Sequence, residues 1–163
     1  MSVAWFAVRT RTRAEKVVRE HLEARAIEAF LPTVNKWSRW KDRKKEVEWP
    51  LFPGYCFAHF AASDQLVVRT SPGVADIVSF AGSLAAIPDH EVESLRTLMQ
   101  SQVKYDPAPH IKEGTMAEVT HGPLKGVIGR LVRKGDHARL ILSVDLIGKG
   151  VSVEVDAADV RPI

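Results

Sequence analysis

The chain has 163 residues, room for one ordinary domain or two small ones. Its 45% apolar content excludes disorder as a description of the whole, and a net charge of +3 is too mild to identify a nucleic-acid binder. The single cysteine, Cys56, excludes an intrachain disulfide and a cysteine-built metal cage. With no secretory pattern at the start and no apolar run near the ~20 residues of a membrane span, the expectation is a soluble, cytoplasmic protein.

Trp5-Phe6-Ala7-Val8 reads as a buried strand. Thr12 followed by Glu15 has the spacing of a capping box, and Ala14, Val18 and Leu22, widened by Val17, predict a helix ending near Ala26. Its polar side, Glu15, Arg19, Glu20 and Glu23, should face water. A second strand is expected over Ile27–Val34, with Pro32 marking an edge or irregular end. Lys36, Arg39, Lys41, Arg43, Lys44 and Lys45, against Asp42 alone, make the next stretch a basic hairpin tip. Trp49–Phe60 is read as a strand broken at Pro53-Gly54, after which Tyr55, Phe57 and His59 alternate with Cys56, Ala58 and Phe60. A short helix carrying Leu66 and Val67 follows, then Pro72-Gly73 and a fourth strand over Ala75–Phe80. Helical spacing returns over Pro88–Met99, with Val92, Leu95 and Met99 on one face. Asp89, Glu91 and Glu93 sit in its first turn, where the helix dipole favours acids.

Gln102–Lys112 contains Asp106-Pro107-Ala108-Pro109 and no apolar period, so it reads as a linker. Beyond it, Met116–Val119, Val127–Val132, Ala138–Leu146 and Val151–Val155 are short alternating runs separated by glycine-rich turns. The fold class expected is α+β: a ferredoxin-like β-α-β-β-α-β domain with an extra helix over 1–101, a linker over 102–111, and a small SH3-like β-barrel over 112–163.

No reaction is legible. The six histidines are scattered, and no Walker loop, nucleophile elbow or dinucleotide fingerprint is present, so neither catalysis nor a metal or cofactor is expected. The aromatics around Phe52-Pro53-Gly54-Tyr55-Cys56-Phe57 have core packing as their ordinary role. Yet Trp5, Phe6, Trp49, Phe52, Tyr55, Phe57, Phe60 and Phe80 are many for one small sandwich. That leaves an exposed aromatic groove for an apolar partner helix as the other reading. Trp37 and Trp40 among the hairpin cations suit phosphate attraction and stacking on unpaired bases; a solvated hairpin whose lysines deter edge pairing is the alternative.

Trp5-Phe6-Ala7-Val8, Phe52-Pro53-Gly54-Tyr55 and Ser71-Pro72-Gly73-Val74 with Val78-Ser79-Phe80 resemble, in order and spacing, the N-terminal domain of NusG-type transcription factors. Gly114–Gly129 resembles their KOW motif, and Asp145-Leu146-Ile147-Gly148-Lys149 the partner-binding loop after it. Pro50-Leu51-Phe52-Pro53 and Glu20-His21-Leu22-Glu23 resemble the specialised RfaH-like paralogues. The resemblance implies a monomeric elongation and antitermination factor without cofactor. Trp5, Phe52, Pro53, Tyr55 and Phe57 would meet the clamp helices of the largest RNA polymerase subunit near the upstream fork, suppressing pausing. Arg11 and His21 would approach the non-template DNA strand, while Arg39, Lys41, Arg43 and Lys44 are the candidate phosphate contacts that the hairpin's own charge offers. Leu146, Ile147 and Gly148 would receive the termination factor Rho or a small-subunit ribosomal protein. Val17 and Pro72 stand where RfaH-like proteins carry basic residues, and Ile147 where general NusG has an aromatic. The kept turn glycines and strand alternation imply a stable barrel with no helical alternative state. A ribosomal or RNA-binding KOW protein is the rival reading, but residues 112–163 are close to charge balance.

Overall fold

The computed structural model describes residues 2–40, 43–109, 114–134 and 137–163. They divide into two compact units, 1–86 and 87–163. Three α-helices and a set of antiparallel sheets make up a mixed α and β architecture among the described residues.

In the first unit, β1 (Val3–Thr10), α1 (Glu15–Ala24), β2 (Glu28–Phe30), β3 (Thr33–Trp40), β4 (Arg43–Pro50), β5 (Tyr55–Ala61), α2 (Gln65–Arg69) and β6 (Val74–Ile77) follow in order. The strands line up as β2-β5-β1-β6. Because β1 and β2 both run antiparallel to β5, they are parallel to each other with β5 between them. β3 and β4 leave this sheet as a separate hairpin, register Thr33↔Pro50 to Trp40↔Arg43. The expected strand over Ile27–Val34 is therefore two elements, interrupted at Pro32, whose ring removes a ladder donor.

Phe6 and Val8 of β1 join Cys56, Ala58 and Phe60 of β5 against Val18 and Leu22 of α1, Val68 of α2 and Ile77 of β6. Alternation accounts for that layer. The opposite face is buried as well: Trp5 stacks on its cross-strand neighbour His59 at 4.9 Å, and Phe57 is fully buried. Cys56 lies inside, and burial pushes its thiol up to about 12.

Several local expectations are corrected. Ala14, not Thr12, occupies the N-cap of α1, and no side chain caps it. Glu15 turns inward instead, because it has a backbone amide to accept from. Val17 is exposed and does not widen the apolar stripe. The short helix expected to carry Leu66 and Val67 is present as α2, with both exposed and Val68 buried. The fourth strand stops at Ile77; β7 (Ser79–Phe80) and β8 (Ser83–Leu84) form a short hairpin that leaves Phe80 exposed, and β9 (Ala86–Ile87) follows.

The second unit contains α3 (Asp89–Gln100), β10 (Tyr105–Pro109), β11 (Thr115–Val119), β12 (Ile128–Lys134), β13 (His137–Val144), β14 (Lys149–Val155) and β15 (Val160–Pro162). Its strands form one sheet in the order β10-β14-β13-β12-β11-β15. Tyr105–Pro109 is thus a strand, where a linker over 102–111 was expected. The two prolines exclude a central strand, but β10 is an edge strand with a single neighbour, β14, and tolerates them. His110 and Ile111 of that stretch lie outside the described residues. Val119, Val127, Leu140, Leu142, Val144, Val151 and Val153 form the interior, as the alternation predicts.

α3 packs on β12 and β13, so the division into units falls before it and not at residue 101. Val92, Leu95 and Leu98 are fully buried. Ser94 Oγ accepts a 2.9 Å hydrogen bond from the Ile128 amide at the start of β12. Glu91, expected at the solvated helix start, is buried too, because it lies one turn from Ser94 on the covered side.

Candidate functional site

The sharpest local geometry lies in Phe52-Pro53-Gly54-Tyr55. The Tyr55 amide donates to the Phe52 carbonyl at 3.1 Å, and Gly54 holds φ +89°. This is a type II turn: proline presets the first central residue, and glycine takes the left-handed second position without a Cβ penalty. Three contacts hold the turn. The Gly54 amide donates to Glu15 Oε2 at 3.1 Å, the Gly54 carbonyl accepts from the Thr10 amide at 2.8 Å, and the Leu51 amide donates to the Pro32 carbonyl at 2.8 Å. The turn is thereby locked to the end of β1 and the start of α1.

Ser71-Pro72-Gly73-Val74 repeats the device. Val74 donates to Ser71 at 3.2 Å, Gly73 holds φ +87°, and the Gly73 carbonyl accepts from the Arg11 amide at 2.8 Å. The two Pro-Gly turns thus brace the β1–α1 connection from both sides.

The predicted apolar contacts separate by exposure. Trp5, Phe52 and Phe57 are buried, with the Phe57 ring 6.3 Å from that of Phe52 and 6.4 Å from that of Phe30. Pro53 is exposed and Tyr55 half-buried. An open groove made of all five side chains is not what the structure presents. The sheet packs apolar groups on both faces, and five of the eight aromatics counted are buried. Trp49 and Phe80 stay exposed, at 47% and 77%.

Next to the Pro53-Gly54 turn lies a groove of about 810 Å³ lined by Thr10, Arg13, Lys16, Glu48, Trp49 and Pro53, among others. Lys16 Nζ donates to the Glu48 carbonyl at 2.9 Å, tying α1 to β4, and Arg13 holds φ +60° at its rim. Sequence reasoning named Pro53 as a site residue and counted Trp49 among the aromatics of an exposed groove, but missed Thr10, Arg13, Lys16 and Glu48. The available signal was the pairing of Trp49 with the prolines that follow it.

Arg11 is exposed ahead of α1, and His21 is half-buried in its last turn. The rise from Glu15 to His21 alone is roughly 9 Å along the axis, so the two side chains lie toward opposite ends of the helix. Of the hairpin cations, Arg39 falls on β3 and Arg43 and Lys44 on β4, where Arg39 pairs with Lys44. Lys41 lies outside the described residues. The basic tract therefore extends down two strands and is not confined to a tip.

In the second unit, Asp145–Ile147 is a 3-10 turn ending at Gly148, which holds φ +65° and donates its amide to the Asp145 carbonyl at 3.1 Å. Leu146 and Ile147 are half-buried and Gly148 is exposed. The turn joins β13 to β14, so the three predicted partner residues share one loop. The Asp145 amide hydrogen-bonds the Glu91 carboxylate. Burial, and then the Asp145 charge, push Glu91 up from 4.5 to about 7, opposed by that amide and by Arg130.

These features define an α+β protein of two compact units whose exposed turns and basic hairpin are suited to contact with other macromolecules. Among the described residues no cluster of three or more potential metal ligands occurs, and no helix is long and apolar enough to cross a membrane. The family model for the transcription termination factor NusG matches residues 3–96, and the chain belongs to that family. The transcription termination/antitermination protein NusG of Staphylococcus carnosus is 24% identical, over 93% of this chain and 91% of its own. Its counterpart in Halalkalibacterium halodurans is 25% identical, with both chains covered in full. A solved structure of Thermotoga maritima NusG, described under the heading of domain interaction in that protein, shares the fold. Its TM-score is 0.53 at 22% identity, covering 100% of this chain and 98% of that one.

Proposed function

We propose that this chain is a transcription elongation and antitermination factor that binds RNA polymerase through its first unit and a second partner through the Asp145–Gly148 turn. The observation that carries the reading is the family match over residues 3–96, which contains the braced Phe52–Tyr55 turn and both Pro-Gly anchors of the β1–α1 connection. The strand order β2-β5-β1-β6, with β1 and β2 parallel around β5, supports reading the first unit as a ferredoxin-like sandwich. The closely spaced strands of the second unit support an SH3-like KOW barrel.

On this reading, Pro53 and Tyr55 meet the clamp helices of the largest polymerase subunit, while Trp5, Phe52 and Phe57 form the packed support behind them. The hairpin cations lie along non-template DNA and hold phosphates without reading bases. Leu146, Ile147 and Gly148 receive Rho or a small-subunit ribosomal protein. The factor acts as a cytoplasmic monomer. Direct RNA binding by the second unit is the less favoured reading, because its acids and bases are near balance.

Tyr55→Ala tests the polymerase contact. Loss of an interface aromatic typically costs at least about 2 kcal/mol of binding. The variant should lose core polymerase in a pull-down carried out with RNase present, while the melting temperature stays close to that of the parent. Phe57→Ala is the contrast, since emptying a fully buried site costs roughly 3–5 kcal/mol of stability. Unchanged polymerase affinity in folded Tyr55→Ala would reject the assignment.

A further inference from the structure

The first turn of α3 buries an acid where a helix start ordinarily exposes one. Glu91 is 9% exposed, and its Oε1 has no hydrogen-bond partner among the described residues. The carboxylate accepts from the Asp145 amide, just beyond the end of β13. One turn along the same face, Ser94 Oγ accepts from the Ile128 amide at 2.9 Å. Two side chains of α3 thus close over two backbone amides of the sheet. Val92, Leu95 and Leu98, all fully buried, supply the apolar part of the contact with β12 and β13.

The charged and titratable groups around Glu91 are His90 of α3, Arg130 of β12 and Asp145 at the close of β13. Asp145 places a like charge opposite it, which adds to the cost of an anion already withdrawn from water. Arg130 offsets this only in part, and its guanidinium also reaches the Gly114 carbonyl at 3.5 Å. Neutral Glu91 is therefore at ease under the sheet, and ionised Glu91 is not. Lifting this part of α3 returns the carboxyl to water, where it gives up its proton. Seating of the helix and protonation of one side chain are linked equilibria.

We propose that Glu91 is a proton-operated latch: the N-terminal half of α3 is seated on β12 and β13 while Glu91 is neutral, and lifts more often once it ionises. Lifting frees the Asp145 and Ile128 amides together and uncovers Ile128 and Ile141, which line the small cavity beside Glu91. Val92 and Leu95 keep the seated form dominant, and pH sets how often it opens. The latch is built from contacts inside the second unit and rests on no assignment of a partner.

Glu91 stands at about 7 when seated and at 4.5 when free, so the opening constant should rise about tenfold from pH 6 to pH 8. Amide hydrogen exchange of the isotope-labelled full chain, corrected for the intrinsic base-catalysed rate, reads this constant. Protection at Asp145 and Ile128 should fall about tenfold over that interval. It should also be weaker, and less sensitive to low urea, than at Leu140 and Val153, a cross-strand pair inside β13 and β14 that exchanges only through global unfolding. Glu91→Gln should abolish the pH dependence at Asp145 and Ile128, and His90→Gln should leave it intact. Asp145→Asn, which removes the facing charge, should diminish it. Protection flat with pH would overturn the proposal, as would a pH dependence that survives Glu91→Gln or vanishes in His90→Gln. Protection and urea slopes at Asp145 and Ile128 equal to those at Leu140 and Val153 would also overturn it, since the helix would then leave only when the whole unit unfolds. Should Glu91→Gln fold poorly, the parent series and Asp145→Asn still decide, because an undiminished fall in Asp145→Asn is incompatible with the latch.

Discussion

Glu91 should make the stability of the second unit depend on pH in an unusual direction. A carboxyl whose folded pKa is raised binds its proton more tightly in the native than in the unfolded chain. Its contribution is fully present below 4.5, declines as pH rises through about 7, and beyond that leaves a buried anion as a cost. The interval between 4.5 and about 7 corresponds to about 3 kcal/mol as an upper figure, since one pKa unit is worth about 1.36 kcal/mol. Glu91→Gln removes the titration and keeps the size of the side chain. Urea unfolding of the full chain at intervals from pH 5 to pH 8, followed at second-unit amides, should show the parent losing stability with rising pH relative to the variant. The two should differ by under about 1 kcal/mol at pH 5 and by up to about 3 kcal/mol at pH 8. Ser94→Ala serves as a control. It leaves the Ile128 amide without its acceptor at a cost of about 1–3 kcal/mol that does not vary with pH. A constant offset between Glu91→Gln and the parent at every pH would refute the burial argument.

Other consequences follow from the turns, the hairpin and the buried thiol. Gly73→Ala should destabilise more than Gly54→Ala in thermal melts. Both hold positive φ, but only at Gly73 would the new Cβ press on Val18 at 3.0 Å and Ala14 at 3.1 Å. Changing Lys41, Arg43 and Lys44 together to Ala should weaken binding to a transcription bubble equally for any sequence. It should also lower the slope of log affinity against log salt by roughly 2–3; an unchanged slope would remove the hairpin from the phosphate contacts. Cys56, buried with its thiol pushed up to about 12, should resist iodoacetamide at pH 8 until the first unit unfolds, which mass spectrometry of pulse-labelled chain would report.

Local chemistry alone determined the buried strand β1, the two Pro-Gly turns and the alternating strands of the second unit. In each case the signal lies within a few residues: proline presets one dihedral, glycine permits the next, and a period of two assigns faces. The order of Trp5–Val8, Phe52–Tyr55 and Ser71–Val74 was enough for the family resemblance, which the match over residues 3–96 bears out. What the sequence could not determine is which of two apolar or acidic residues ends up covered, because that depends on chain segments far apart. Glu15 has the pattern of a solvated helix start, yet Gly54, distant in sequence, brings an amide that draws it inside. Val17 and Val18 are chemically alike, but only Val18 points into the sheet. Tyr105–Pro109 has a linker's composition and becomes a strand only because β14 offers it a sheet edge. Glu91 reads as a dipole-stabilising acid at a helix terminus. Tertiary packing of α3 against β12 and β13 buries it, and burial turns an ordinary surface charge into a carboxyl poised near neutral pH.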